Sequence, residues 1–510
     1  MKPGIELRNK RVLVVGLART GVATALFCAA RGARVTATEQ RPAAELGEII
    51  VPLRDAGCVF EFGGHVPATF LDQDLIVPSP GVSAALPGLE AARAAQIPVW
   101  SEIELAWRFL HGKLIAITGS NGKTTVTSLV AHILTGAGMP VIVAGNIGTP
   151  LISRVGETNA ASITVAEVSS FQLELIAAFR PEIGVLLNVT PDHLDRHSSF
   201  EAYRRAKARL FENQTNADLA VLNADDAAVR GHAPAQPRLY WFSRSRRVAA
   251  GAWMRGEQIV FRRHSPETAG GAGPFDSDEP GEPGDTGGTG ETVLLARSDI
   301  HLRGEHNVEN VLAAATTAFL AGASATAIAA GVKSFPGMEH RLEFVAEIAG
   351  VSFFNDSKAT NVDATLKALE AFSGGLFVIL GGKDKGIDYG PLGEPLRQRA
   401  KRVLLIGAAA DKIAAQLKEQ WAKPQAAALG AAGAPIKPGT REVPMEHAGT
   451  LERAVMLAFE HARPGDTVLL APACASFDQF DNYEHRGRVF KESIHAIAAA
   501  AVASAGPEKG

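Results

Sequence analysis

Gly119, Gly122, Lys123 and Thr124 stand together in ITGSNGKTTVTSLV, the stretch from Ile117 to Val130. These are the residue types that grip phosphate. Glycines let backbone N–H groups approach phosphate oxygens, and the N-terminus of a following helix adds favourable partial charge. A lysine at this place reaches the terminal phosphates, and a threonine hydroxyl can sit on Mg²⁺. The loop is shorter than the common G-x-x-x-x-G-K-[ST] form, since only Ser120 and Asn121 separate the two glycines. A strand-like run, Leu114 to Thr118, precedes it and GKTT opens a helix, so it is read as a nucleotide-phosphate loop.

Other candidates lie at the ends of β-rich runs. Gly16-Leu17-Ala18-Arg19-Thr20-Gly21 follows a strand pattern and precedes a helical one, and Glu39 ends the next strand. This imitates the dinucleotide fingerprint with its distal acid. Ala18 replaces the middle glycine, however, so a nucleotide other than NAD, or a structural turn, is the better reading. Glu167 in AEVSSFQLE and His193 in NVTPDHLDRH each follow a strand. A carboxylate and an imidazole near a phosphate loop suggest metal ligation. Taken singly, His193 reads more readily as a satisfied turn residue than as a ligand, and Lys207 in EAYRRAKARLFEN reads as a solvated helix lysine. In Asn355 to Asn361 (NDSKATN), Asp356 could take ribose hydroxyls. Gly381 to Gly386 (GGKDKG) offers cations, with a charged turn as the alternative for both. Ser476 in PACASFDQF follows a further strand. Cys474 beside it has no histidine at a telling spacing and reads as a buried thiol.

The elements that must position these residues follow from composition and pattern. A chain of 510 residues allows roughly three domains. A formal charge of -3, with no basic stripe, gives no reason to expect nucleic acid. Three scattered cysteines fit a reduced, cytoplasmic setting and exclude a disulfide scaffold. No signal peptide is expected from MKPGIELRNKR, and no apolar run reaches the length of a membrane span. The tail IHAIAAAAVASAG reads as a helix end that frays. Strand and helix patterns alternate in three blocks, which predicts an α/β protein with parallel sheets whose polar, glycine-containing strand ends face a ligand cleft. LYWFSR, GAWMRGEQIVFRR and ETVLLARSDIHLRG are β-like and are expected to form a small side sheet. Residues 264–292 read as a disordered insertion and 423–439 as a low-complexity surface loop.

TGSNGKTT, AGNIGTP, EVSSFQLE, NVTPDHLDRH, YRRAKARL, GEHNVEN, MEHRLE, NDSKATN, LGGKDKG and PACASFDQF occur in this order. The series resembles the Mur ligases of peptidoglycan synthesis over essentially the whole chain apart from the two inserts. Folylpolyglutamate synthetases share the shortened loop, and they or another Mur ligase are the alternative. The N-terminal block and PACASFDQF point to the branch that adds D-glutamate. The resemblance implies a Rossmann-like UDP-binding domain over 1–110, a P-loop-type ATPase domain over 111–340 and a Rossmann-like amino-acid-binding domain over 341–510, which close on one another. It implies a cytoplasmic monomer that phosphorylates the carboxylate of UDP-N-acetylmuramoyl-L-alanine with ATP, after which D-glutamate attacks the acyl phosphate.

Carried over by position, Gly119, Ser120, Asn121, Gly122, Lys123, Thr124 and Thr125 would hold ATP phosphates. Thr124 and Glu167 would ligate one Mg²⁺, and His193 the second together with Lys207. Lys207 matches the family's carbamylated lysine, since a hard cation needs an oxygen ligand and not an ammonium. Asn146 would contact the muramoyl-alanine end or the γ-phosphate. Asn307, Asn310, Arg341 and Asp356 would hold the adenosine diphosphate part. Thr360, Lys385, Ser476 and Tyr483 would hold D-glutamate, with Lys358 nearby. Thr20, Glu39, Gln40, Arg41 and the turn Ser79-Pro80-Gly81 would hold the UDP part. Two departures stand out. The family pattern often has Asp-Thr-Arg where Glu39-Gln40-Arg41 stands, and Phe where Tyr483 stands, so the tyrosine hydroxyl needs a partner.

Overall fold

The computed structural model describes residues 4–146, 148–192, 196–264, 275, 290–423 and 443–505. Most of the 264–292 insertion and nearly all of the 423–439 loop lie outside the described residues. Three sheets carry the chain. The first has β1 (Arg11–Val15), β2 (Arg34–Glu39), β3 (Val59–Phe62) and β4 (Leu75–Pro78), all parallel, in the order β3-β2-β1-β4. The VLVV run of β1 is wholly buried, as a central parallel strand covered on both faces requires. The turn after β1 closes tightly: a Cβ on Gly21 would stand 1.9 Å from Gly16 O, so no side chain fits there.

The second sheet has nine strands. β5 (Lys113–Thr118), β6 (Val141–Gly145), β7 (Ile163–Glu167), β8 (Ile183–Leu186) and β9 (Leu219–Asn223) form its parallel centre. β10 (Arg238–Ser243), β11 (Gly251–Arg255), β12 (Gln258–Arg262) and β13 (Glu291–Ala296) complete it in the order β13-β12-β11-β10-β9-β8-β5-β7-β6. The β-like segments expected to form a side sheet are therefore present, but as an extension of the central sheet. β10 adds parallel to β9 and β11 parallel to β10, and of the nine strands β12 alone runs against the rest. The loop after β5 leads toward β6 on one side, and the chain after β8 leads toward β9 on the other. The carboxyl ends of β5 and β8 thus flank a topological switch point, where such sheets bind ligands.

The third sheet has β14 (Glu343–Ile348), β15 (Val351–Asn355), β16 (Leu376–Gly381), β17 (Ala400–Ile406), β18 (Met445–Gly449) and β19 (Thr467–Leu470). Their order is β14-β15-β19-β16-β17-β18, with β14 alone antiparallel. The chain divides into two compact units. Met1–His301 with Val308–Phe335 carries the first two sheets, and Leu302–Asn307 with Pro336–Gly510 carries the third.

Inside the first unit, two buried carboxylates of the helix Glu102–Phe109 tie the first sheet's exit to the second. Glu104 accepts from the N–H groups of Ala177, Ala178 and Phe179 at 2.7–3.0 Å and pairs with Arg108. Glu102 accepts from Ile152 N at 2.6 Å. Among the described residues no helix is long and apolar enough to cross a membrane.

Candidate active site

The loop after β5 runs into the helix Lys123–Gly136. Gly122 caps that helix with φ +83°, and a Cβ on it would stand 2.3 Å from Asn310 Oδ1. Glycine is thus needed for the left-handed backbone and for the close approach of Asn310. The loop is fastened to the segment after β8. Ser120 N donates to Asn188 O at 2.9 Å, and Asn121 N to Asn188 Oδ1 at 2.8 Å. Ser120 Oγ reaches Thr190 O at 3.0 Å and Tyr203 Oη at 3.1 Å. Lys123 Nζ bends back onto Gly119 O and Ser120 O, both at 2.8 Å. Ser120, Thr124 and Thr125 are buried.

Glu167 ends β7 beside this loop. Its carboxylate accepts from Thr124 Oγ1 and from Asn146 Nδ2, each at 2.8 Å. Register explains the meeting: Glu167 pairs with Ile117 of β5 on one side and Gly145 of β6 on the other. Lys207 is not a solvated lysine. It lies on the helix Phe200–Ala208 with 2% of its surface exposed and donates to Gly119 O at 2.8 Å. Burial holds its pKa well below the usual lysine value. The charge of Lys123 adds to that shift, while Asp192 and Glu167 oppose it.

Glu167 and the Thr124 hydroxyl present hard oxygen atoms, donors that suit Mg²⁺; Lys207 joins them only as an N-carboxylate. His193 lies outside the described residues. Its neighbour Arg196, which the motif reading passed over, donates to Gly81 O at 2.9 Å and Val82 O at 3.2 Å. Tyr203 and His197 were passed over too, although all three stand within or beside the quoted motifs. His197 is buried between Ser170, 3.0 Å away, and the ring of Phe171.

At the first sheet, Glu39 is engaged by the loop it was expected to complement. Its carboxylate accepts from Leu17 N at 2.7 Å and from Arg41 N and Nη2, both at 3.1 Å. Burial alone raises its pKa, but those hydrogen bonds and the Arg41 charge outweigh burial and hold it at about 2. Ser79 Oγ donates to Gly16 O at 2.7 Å. Thr20, Gln40, Arg41 and Gly81 are exposed or half-buried around the same strand ends.

Glu39→Ala is expected to lose about 1–3 kcal/mol of stability, because Leu17 N–H is left without its acceptor. Chemical denaturation checks this. Since the folded pKa is depressed, the contribution is complete above the ordinary value of 4.5 and fades as pH falls toward about 2. A variant as stable as the parent at pH 7 would remove this anchor role.

In the second unit, Asn307 Nδ2 donates to Arg303 O at 2.7 Å. Asp356, at the end of β15, is buried. Burial pushes its carboxyl up to about 7, against the pull of Arg341 and a hydrogen bond from Leu342 N–H. The turn before β14 is strained at non-glycine residues, with φ +64° at His340 and +42° at Leu342.

Lys358 Nζ donates to Tyr483 Oη at 3.0 Å, which supplies the partner that the tyrosine hydroxyl needed. Lys385 Nζ donates to Thr360 O at 3.2 Å. Ser476 is buried on the loop after β19. Asp478 and Gln479 pin that loop to Ala408 N at 2.9 Å and Gly449 O at 2.8 Å. Cys474 is buried against Tyr389 Oη at 3.1 Å, and burial pushes its thiol up to about 11, so it is no nucleophile at neutral pH.

Three family models match the chain in order: Mur ligase MurD-like, N-terminal domain, over residues 10–101; Mur ligase middle domain, over 117–318; and Mur ligase, glutamate ligase domain, over 340–474. Among curated proteins, the UDP-N-acetylmuramoylalanine–D-glutamate ligase of Acidobacterium capsulatum is 50% identical over 98% of this chain and 98% of its own. The proteins of that name from Koribacter versatilis and Solibacter usitatus are 48% and 49% identical, each over 97% of this chain and 99% of its own.

Solved structures share the fold. UDP-N-acetylmuramate-alanine ligase MurC from Thermotoga maritima has a TM-score of 0.55 at 18% identity, covering 96% of this chain and 100% of its own. MurF ligase from Thermotoga maritima in complex with ADP has a TM-score of 0.55 at 15% identity, covering 97% of each chain. With family models along most of its length and full-length relatives at about half identity, the chain belongs to the Mur ligase family.

Proposed function

We propose that this chain is an ATP-dependent ligase that joins D-glutamate to UDP-N-acetylmuramoyl-L-alanine in peptidoglycan precursor synthesis. The observation that carries the reading is the identity of up to 50%, over almost the whole chain, with relatives named for that activity. A carboxylate at neutral pH is a poor electrophile. Its oxygen attacks the γ-phosphorus of ATP and ADP leaves. The D-glutamate amine then attacks the acyl carbon, and the tetrahedral intermediate expels phosphate.

The chain's own groups serve these steps. The amides of Gly119 to Thr125 hold the terminal phosphates at a helix N-terminus, and Lys123 meets the charge on the transferring phosphoryl group. Asn146 orients the reacting end of the UDP substrate or the γ-phosphate. Thr124 and Glu167 would hold one Mg²⁺, and His193 and N-carboxylated Lys207 a second. Bound there, the two ions would offset phosphate charge.

In the first unit, Asn310 beside Gly122 serves the nucleotide. Thr20, Glu39, Gln40, Arg41, Ser79 and Gly81 serve the UDP part, with Glu39 acting through the loop it anchors. In the second unit, Asn307, Arg341 and Asp356 serve the adenosine diphosphate part. Lys358, Thr360, Lys385, Ser476 and Tyr483 serve D-glutamate, two ammonium groups suiting its two carboxylates. Functionally the chain divides at 1–110, 111–340 and 341–510, and it works as a cytoplasmic monomer.

An amino-acid panel tests the reading. Phosphate release is expected only with ATP, UDP-N-acetylmuramoyl-L-alanine and D-glutamate together. Equal turnover with L-glutamate, or with a folate as acceptor, would sink the assignment in favour of another amide ligase.

A further inference from the structure

Arg486 heads the large side chains that have no exposed surface, and the reaction above gives it no part. It stands in the first turn of the helix Tyr483–Ala505. Nε donates to Ser357 Oγ at 2.9 Å, and Nη2 to Ser357 O at 2.7 Å. Nη1 and Nη2 each donate to Cys474 O at 3.2 Å, and Nη1 also to Ala475 O at 3.4 Å. The Ser357 hydroxyl extends the connection by donating to Tyr483 O at 2.8 Å. Gly382 lies against the same group, since a Cβ there would stand 3.2 Å from Nη1.

Each of these contacts lies within three residues of the glutamate set. Ser357 precedes Lys358 and leads to Thr360. Ala475 precedes Ser476. Tyr483 opens the helix, and Gly382 begins the turn that carries Lys385. The acceptors are carbonyl and hydroxyl oxygens, not carboxylates, and Asp478 acts only at longer range. A buried guanidinium without a paired carboxylate is a costly way to fill space, and apolar side chains often do that better. What the planar fork adds over a single ammonium nitrogen is five donors in fixed directions, which hold carbonyls of separate segments at a set spacing.

We propose that Arg486 is a positioning residue for D-glutamate. It clamps the loop after β15 to the loop after β19 and to the start of the last helix, so that Lys358, Ser476 and Tyr483 meet the amino acid at one spacing. This rests on reading Lys358, Thr360, Lys385, Ser476 and Tyr483 as the glutamate set. The test titrates D-glutamate at saturating ATP and UDP-N-acetylmuramoyl-L-alanine and follows phosphate release by the full chain.

Arg486→Lys is expected to raise the KM for D-glutamate about tenfold or more, with the KM values of the other two substrates within about twofold. Ser357→Ala, which cuts one arm of the clamp, is expected to raise it about threefold. An unchanged KM for D-glutamate, or a fall in kcat alone as a smaller active fraction would give, overturns the proposal. If Arg486→Lys does not fold, Ser357→Ala decides by the same two outcomes. A parent chain that releases no phosphate with D-glutamate would instead remove the glutamate reading itself, before any variant is compared.

Discussion

Lys207→Ala is expected to release phosphate about 10²- to 10³-fold more slowly than the parent at saturating substrates, and acetate or formate is expected to restore part of the rate. The argument starts from burial. Lys207 has 2% of its surface exposed, and desolvation drives its pKa well below the ordinary value. A depressed pKa raises the fraction of neutral amine, and the neutral amine is the form that adds to CO₂. The carbamate so formed keeps one N–H, which can still donate to Gly119 O where Nζ donates now at 2.8 Å. It also gains two oxygens of the kind a hard cation takes. Alanine removes both the oxygen ligand and the bond to the loop, and a small carboxylate replaces only the first. Activity within about twofold of the parent would therefore remove the carbamate role. A large loss with no rescue would leave Lys207 as a brace for the loop.

The phosphate loop could be read from its own letters, because glycines before GKTT act through local backbone geometry. Lys207 could not be read that way, yet its burial has a local trace. Tyr203, Ala206 and Lys207 are the buried residues of the helix Phe200–Ala208 and recur at helical spacing, so the lysine lies on the apolar face. A lysine on such a face invites a functional reading that its residue type alone does not.

The meeting of Asn146, Thr124 and Glu167 left no local trace. It follows from β5, β6 and β7 being neighbours in register, which strand patterns do not specify. The same limit explains the side sheet. Alternation marked its strands, but only the parallel pairing of β10 with β9 decides that they extend the central sheet. Glu39 was visible as an acid at a strand end. Its use was not, because the nearest donors are Leu17 N–H and its own neighbour Arg41. Arg486 gave no signal at all, since its partners are the hydroxyl and carbonyl of Ser357, 129 residues away, and the carbonyls of Cys474 and Ala475 on the loop before its helix.

Glu167→Gln separates charge from hydrogen bonding at the centre of the site. The carboxylate is acceptor-only, and two donors converge on it, Thr124 Oγ1 and Asn146 Nδ2, each at 2.8 Å. Glutamine has the same shape with one acceptor and one donor end. Its carbonyl can face the Asn146 amide while its NH₂ faces Thr124, whose hydroxyl can turn and accept. Every buried polar group then keeps a partner, so the thermal midpoint is expected to move little. What disappears is the negative charge. If that charge serves a bound Mg²⁺, kcat falls about 10²- to 10³-fold and the Mg²⁺ concentration needed for half-maximal rate rises. If Glu167 only holds Thr124 and Asn146 in place, the isosteric change keeps activity within a fewfold and leaves the Mg²⁺ requirement where it was. Asn146→Ala gives the complementary contrast. It leaves the charge intact and removes one donor, so it is expected to lower kcat with no change in Mg²⁺ requirement, and a shift in that requirement would show that the amide, not the carboxylate, sets the ion's hold.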